Sequence, residues 1–391
     1  MAAQTIPNRT RWVLTLVVIL LVALLTVLVA LFVSLLRPVG LPSGAPVAKP
    51  DAMEWVRSIY GYGPSTAEQM LSPSSVAVGP NGDIYVTDPT RSRLLIFSAD
   101  GTPQGVLKSE NPSIQMGSFV RPEALDVAEN GDIFIADSQA KKVIVFNRNK
   151  EFVREYPVDQ MARGVYVADK RVYVLDVGKV IVFEIGGKRL SAFGMRGKLP
   201  GQIDAYQGIV AKNGTIFIAD SYNKRIQAFD ESGTLLWARP DVTTSTVDTG
   251  AAGWDLPQDL AFNGRGELVV VDAFAFELTV VDPKTGERGK SYGGFGRADG
   301  EFYYPTSIAY DARRDWFAVA DTQNNRVQVV RIPDSATQPI QASVWRILSS
   351  PYRYLGPPAC VLLLAIVFAS WSAWSMLKGH TPSSLGSKEP E

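Results

Sequence analysis

The stretch Asp220–Phe229, DSYNKRIQAF, places a carboxylate five residues before a guanidinium, directly after the apolar run TIFIAD. An acid and a base at that spacing meet across a tight turn, where they can exchange a proton, hold a polar ligand or pin the turn. The same acid recurs at Asp88, Asp137, Asp176, Asp272 and Asp321. Six equivalent pairs would make six equivalent sites where an enzyme needs one. The expected role is therefore structural, each Asp accepting turn amides and facing a cation across the hairpin. The only histidine, His380, and the only cysteine, Cys360, both lie near the C-terminal end. A nucleophile–His pair, a Cys/His zinc site and a disulfide framework are thereby excluded from the region that carries the acids. No phosphate-cradling glycine motif is present; the Gly-rich YGGFGRADG (292–300) reads as a strand end and a link.

A repeat positions these acids. Six copies align: IYVTDPTRSRLLIF (84–97), IFIADSQAKKVIVF (133–146), VYVLDVGKVIVF (172–183), IFIADSYNKRIQAF (216–229), LVVVDAFAFELTVV (268–281) and FAVADTQNNRVQVV (317–330). They recur at intervals of 39 to 52 residues and alternate with period two, the mark of an all-β array. A short strand and a turn precede each copy, as in SVAVGPNGD and ALDVAENGD, and a polar turn with a fourth strand follows most of them. Four antiparallel strands per unit, six times over, predict a six-bladed β-propeller. The sixth copy lacks a fourth strand, whereas RSIYGYG (57–63), ahead of the first copy, matches the fourth-strand endings LSAFGMRG and KSYGGFG. The N-terminal strand is expected to complete the last blade, so that the propeller spans 54–334.

The copies DSYNKRIQAF and DTQNNRVQVV resemble NHL repeats, whose blades end a strand in Asp and continue through Asn and Arg into the next. The resemblance covers about residues 54–332 and implies the same propeller. Two copies depart from it: the third has a shortened turn with Lys179 in the base position, and the fifth replaces the base with Glu277 and adds Phe274 and Phe276. Those blades cannot form the same ion pair. Similar propellers include amidating lyases with a His-bound metal, which the missing core histidines exclude, and lactonase-type hydrolases with a calcium ion in the central channel.

The channel should be lined by the start of each inner strand: Ser74, Glu123, Arg163, Gln207, Gln258 and Thr306, followed by Ser75, Ala124, Gly164, Gly208, Asp259 and Ser307. Hard cations want several oxygen ligands of net negative charge, and Glu123 and Asp259 with Arg163 nearby make a poor set. No metal or other cofactor is expected. Glu123, Arg163, Gln207, Gln258 and Asp259 are candidates for holding a small ligand or a peptide end at the channel mouth. A second candidate is a partner-binding surface of Trp254, Phe274 and Phe276, on the long link 241–255 and the aromatic turn of the fifth copy. The competing expectation for these aromatics is that they cover the core between two blades.

Two apolar segments flank the array. Residues 13–36 form 24 uncharged residues, about 36 Å of helix, and follow Arg9 and Arg11 in a 1–12 tail. Residues 355–377 form the second, preceded by Trp345, Tyr352 and Tyr354 with Arg346 and Arg353 in the juxtamembrane segment 335–354. Basic flanks tie, but a short Arg-containing tail before a long apolar helix reads as a signal-anchor. A two-pass membrane protein is expected, with the propeller extracytoplasmic and both termini, including the polar tail 378–391, cytoplasmic. The Pro/Gly-rich linker 37–53 is a semi-extended spacer. Residues 51–340 hold 31 Lys and Arg against 37 Asp and Glu, a net charge of −6 that argues against nucleic acid. The sequence thus predicts a scaffold or sensor module that contacts lipid through its helices and binds a protein or cell-envelope partner. The alternative is a lactonase- or lyase-like propeller hydrolase.

Overall fold

The structure, a computed structural model, describes Leu25 and residues 52–108, 118–240 and 253–336. The predicted membrane helices, both tails and nearly all of both linkers lie outside the described residues; Leu25 is helical. Among the described residues no helix is long and apolar enough to cross a membrane.

The described residues of 52–336 form six four-stranded antiparallel sheets arranged as the blades of a propeller. The inner strands are Ser75–Val78, Pro122–Val127, Gly164–Ala168, Ile209–Lys212, Pro257–Phe262 and Pro305–Asp311, from blade one to blade six. Each is followed outward by its second, third and fourth strands in chain order, except in blade six. There the outermost strand is Glu54–Ile59, from the N-terminal side, paired with Arg326–Arg331 in the register Glu54↔Arg331 to Ile59↔Val327. The predicted closure is therefore present, and the ring has no open seam.

Six hydrophobic clusters hold the ring, each between neighbouring blades. The reason is the strand period: alternate side chains of one sheet point to opposite faces, so each blade feeds the core on both of its sides. In blade two, for example, Phe134, Ala136, Val143 and Val145 pack toward blade three, while Ile133, Ile135 and Ile144 pack toward blade one.

Antiparallel pairing gives the disc two distinct faces. One carries the hairpins between first and second strands and between third and fourth. The other carries the turns between second and third strands, where the acids sit, together with the crossovers that link one blade to the next. The described chain enters at Glu54 and leaves after Arg331 on the hairpin face, at paired positions.

Candidate functional site

The repeated acids prove to be anchors of the crossover face. Every one is fully buried or nearly so, at 0 or 1% exposure. In blade four, Arg225 donates from Nε to Asp220 at 2.7 Å and from its remaining nitrogens to the carbonyls of Lys198, Leu199 and Gln202 at 2.7–2.9 Å. Asn223 bridges Asp220 to the Gly197 carbonyl, and Gln227 bridges it to that of Gln202. The pair thus ties the turn to the crossover that enters its own blade, with every guanidinium nitrogen partnered, as a buried charge requires. Blade six repeats this with Asp321, Asn324, Arg326 and Gln328, and blade one keeps Asp88 and Arg93.

The other three blades solve the same problem without arginine. Asp137 accepts from the amides of Val120, Arg121, Gln139 and Ala140, while Lys142 reaches Glu155 instead. Asp176 accepts from Asp159, Gln160, Met161 and Val177, and Asp272 from Asp255, Leu256, Phe274 and Ala275. Four backbone donors fill the carboxylate's acceptor positions. This frees the base position, and in blade five it is Phe274 and Phe276 that occupy the turn. Phe274 is 55% exposed and its ring lies 5.5 Å from that of Tyr304; Phe276 lies 4.9 Å from Phe295, which is 65% exposed and 5.4 Å from Tyr303. Phe276 has φ 60°, the left-handed conformation that Ser92, Lys141, Lys224 and Asn325 adopt at the same place in other blades. A bulky side chain is disfavoured there, so the aromatic is held against its backbone preference.

Trp254 departs from the expected surface. It is 2% exposed, packs in the core between blades four and five, and has the Arg288 guanidinium 4.3 Å from its ring. The reason lies in Asp272, whose carboxylate holds the amides of Asp255 and Leu256 and draws the end of the long link into the inter-blade seam. Of the three predicted aromatics, Phe274 alone is strongly exposed, with Phe276 half-buried beside it.

The predicted channel residues converge, and hydrogen bonds lace several of them together across the axis. Gln207, on blade four, crosses the axis to donate to the carbonyls of Thr306 at 2.6 Å and Ser74 at 3.2 Å; Thr306 donates to Ser74 and Ser74 to the Glu123 carbonyl. Glu123, Gln207 and Gln258 are buried. Bulges at the starts of the inner strands of blades two, five and six place Glu123, Gln258 and Thr306 there. Glu123 pairs with Arg121 at 2.6 Å, while Arg163 lies over the Tyr206 ring at 5.8 Å. Burial, with Glu123 beside it, pushes the Tyr206 hydroxyl well above its ordinary range.

Asp259 belongs to a different space. A cavity of about 210 Å³ in the channel is lined by Asp126, Asp259, Tyr166, Phe262 and Tyr310. Both acids staple neighbouring blades, satisfying edge amides that an inner strand leaves unpaired. Asp126 accepts from Val167 at 2.7 Å, and Asp259 accepts from Ile308 at 3.1 Å and from the Ser307 hydroxyl at 2.7 Å. Ser75 does the same for Leu125 and Ser307 for Val76. Gly164 and Gly208 occupy the layer elsewhere, where a Cβ would collide with the Gln207 and Gln258 carbonyls. Burial pushes Asp126 up to about 7, with Asp259 adding to it, and Asp259 up to about 6. Asp126 escaped the sequence reading; its one signal is an acid inside the otherwise apolar inner strand ALDV. Among the described residues no group of three or more His, Cys, Asp or Glu could hold a metal ion.

Residues 70–97 match the NHL repeat. A search of curated proteins finds no match. Among solved structures, a streptogramin B lyase is 12% identical with a TM-score of 0.50, over 73% of this chain and 100% of that one. A structural genomics protein of unknown function from Bacteroides thetaiotaomicron is 13% identical with a TM-score of 0.53, over 71% of this chain and 73% of that one. At these identities the likeness is one of fold alone. The blade-one turn with its Asp88–Arg93 clamp lies within the matched residues, and the chain is a six-bladed β-propeller that carries the NHL repeat.

Proposed function

We propose that the propeller is a binding module, tethered to a membrane on its extracytoplasmic side, that docks a protein partner on its crossover face. The observation that carries this reading is the aromatic cluster of Phe274, Phe276, Phe295, Tyr303 and Tyr304, solvent-exposed at its edge and built on a turn whose Phe276 opposes its backbone preference. Exposed aromatics held by rigid strands lose little conformational entropy on binding and make good interface anchors. The chain ends leave the ring from the hairpin face. Crosslinking of the full-length protein in its native membrane tests this: a specific adduct is expected, lost in the Phe274→Ala Phe295→Ala protein. An adduct that survives both substitutions, or no specific adduct, sinks the reading.

A second reading, a lactonase- or lyase-like activity in the channel, is favoured by the two half-buried carboxylates with raised pKa values around one cavity. Turnover of a lactone or streptogramin B by the full-length protein, abolished by Asp126→Asn, would establish it; no turnover rejects it.

A further inference from the structure

Blade three gives the crossover face a second irregular place. Between Asp176 and Lys179 its turn has only Val177 and Gly178, where blades one, four and six have four residues between acid and base. Gly178 adopts φ 73°, and a Cβ there would collide with the Arg196 backbone, so the crossover from blade three to blade four runs directly over the shortened turn. The turn's own base is drawn away: Lys179 bonds Asp159, which Arg189 also holds at 2.9 and 3.2 Å. The space left open is a cavity of about 290 Å³, lined by Arg163, Gly178, Arg196, Lys198, Asp204 and Tyr222.

Its charge is unbalanced. Asp204 faces three cations and is engaged by Arg196 at 3.2 and 3.4 Å. Among the described residues neither Arg163 nor Lys198 has a carboxylate partner; Arg163 is oriented by the Tyr206 ring. The Lys198 backbone is fixed, since its carbonyl accepts from Arg225, which leaves the side chain's ammonium as the variable element. Tyr222, in the lining, is 54% exposed, and Met195 and Leu199, next in the chain to the lining Arg196 and Lys198, are 62% and 66% exposed. A guanidinium and an ammonium without a carboxylate partner of their own, with exposed apolar side chains next in the chain, match a carboxylate flanked by apolar side chains.

The geometry points to this recess as a binding site for an acidic peptide segment, with Arg163 and Lys198 receiving a carboxylate while Met195 and Leu199 take its apolar neighbours. The inference rests on the protein-docking reading and names the chemistry of the partner. Nucleic acid fits less well, because a carboxylate lines the recess and residues 51–340 carry a net charge of −6.

The probe is a dye-labelled hexapeptide, Leu-Asp-Glu-Leu-Phe-Gly, titrated against the full-length protein in detergent by fluorescence anisotropy. Binding is expected to weaken as salt is raised, to fall about tenfold with Arg163→Ala, and to recover in part with Arg163→Lys. An unchanged melting curve for the Arg163→Ala protein secures its fold. Equal binding of the Asn/Gln version of the peptide overturns the proposal, as does unchanged binding by Arg163→Ala or no binding at millimolar peptide. Tighter binding of oligouridylate at the same arginine overturns it in favour of a phosphate site. If Arg163→Ala leaves the membrane crosslink intact while Phe274→Ala Phe295→Ala abolishes it, the docking face stands and the acidic recess does not belong to it.

Discussion

The hairpin face and the crossover face are built from the same strands, yet they expose different chemistry. On the hairpin face the turns close on themselves: Asn81, Asn130 and Asn263 each accept from an amide two or four residues onward, and the loops present polar groups. On the crossover face each turn is locked to a neighbouring link by a buried acid, and the exposed large apolar side chains of the loops gather there. Tyr60, Leu71, Val120, Met161, Met195, Leu199, Tyr222, Phe274 and Phe295 all belong to it, whereas Trp55, Val153, Leu190 and Leu236 lie on outermost strands. A turn that satisfies itself leaves no need for neighbours. A turn fastened from beneath can vary its upper side chains without losing its place, and blades three and five use that freedom.

The contrast can be broken most severely from below. Arg225→Ala leaves Asp220 buried with its cation gone and takes a charged donor from three crossover carbonyls, and should cost about 3–5 kcal/mol in chemical unfolding. A loss under about 1 kcal/mol would mean that the backbone amides suffice in blade four as they do in blade five.

The channel acids predict the next largest effect. Their folded-state pKa values stand above the unfolded value, so the folded state holds more protons between about pH 4 and 7. Stability should fall as pH rises through that window and level off above it. Asp126→Asn should flatten the profile, measured as the denaturation midpoint against pH; an unchanged slope would remove Asp126 as its source.

Gly178→Ala comes third. The left-handed φ and the collision with the Arg196 backbone should destabilise the protein by about 1–3 kcal/mol and distort the recess beside it. Smallest is Phe274→Ala, an exposed position expected to shift stability by less than about 0.5 kcal/mol. A thermal melt checks it, and a larger loss would turn the aromatic patch from a surface into a support.

The repeat, the six blades and the closing strand were legible because each rests on local pattern: alternation, turn residues and a register that recurs. The loss of the ion pair at Lys179 and Phe274–Glu277 was legible for the same reason. Hidden features depend on which distant groups meet. A ring of inner-strand residues can be aligned from sequence, but nothing in Gln207 announces that its amide spans the axis to Ser74 and Thr306. Glu123 pairs with Arg121 rather than Arg163, and Lys142 with Glu155 rather than Asp137, because side-chain reach and strand bulges decide among equally near charges. Trp254 looked like a loop aromatic since the acid that pulls its link inward lies 18 positions later in the chain.

The closing pair of blade six has a mechanical corollary. Glu54 and Arg331 are opposite each other at the hairpin-face end of that pairing. Tension applied between the two chain ends therefore loads the pairing one rung at a time, as a zipper is drawn, instead of shearing all rungs together. A pull on the C-terminal side first meets Ser335, whose carbonyl accepts from the Arg265 amide of blade five and whose hydroxyl donates to Asp315, so that this contact guards the seam that completes the ring.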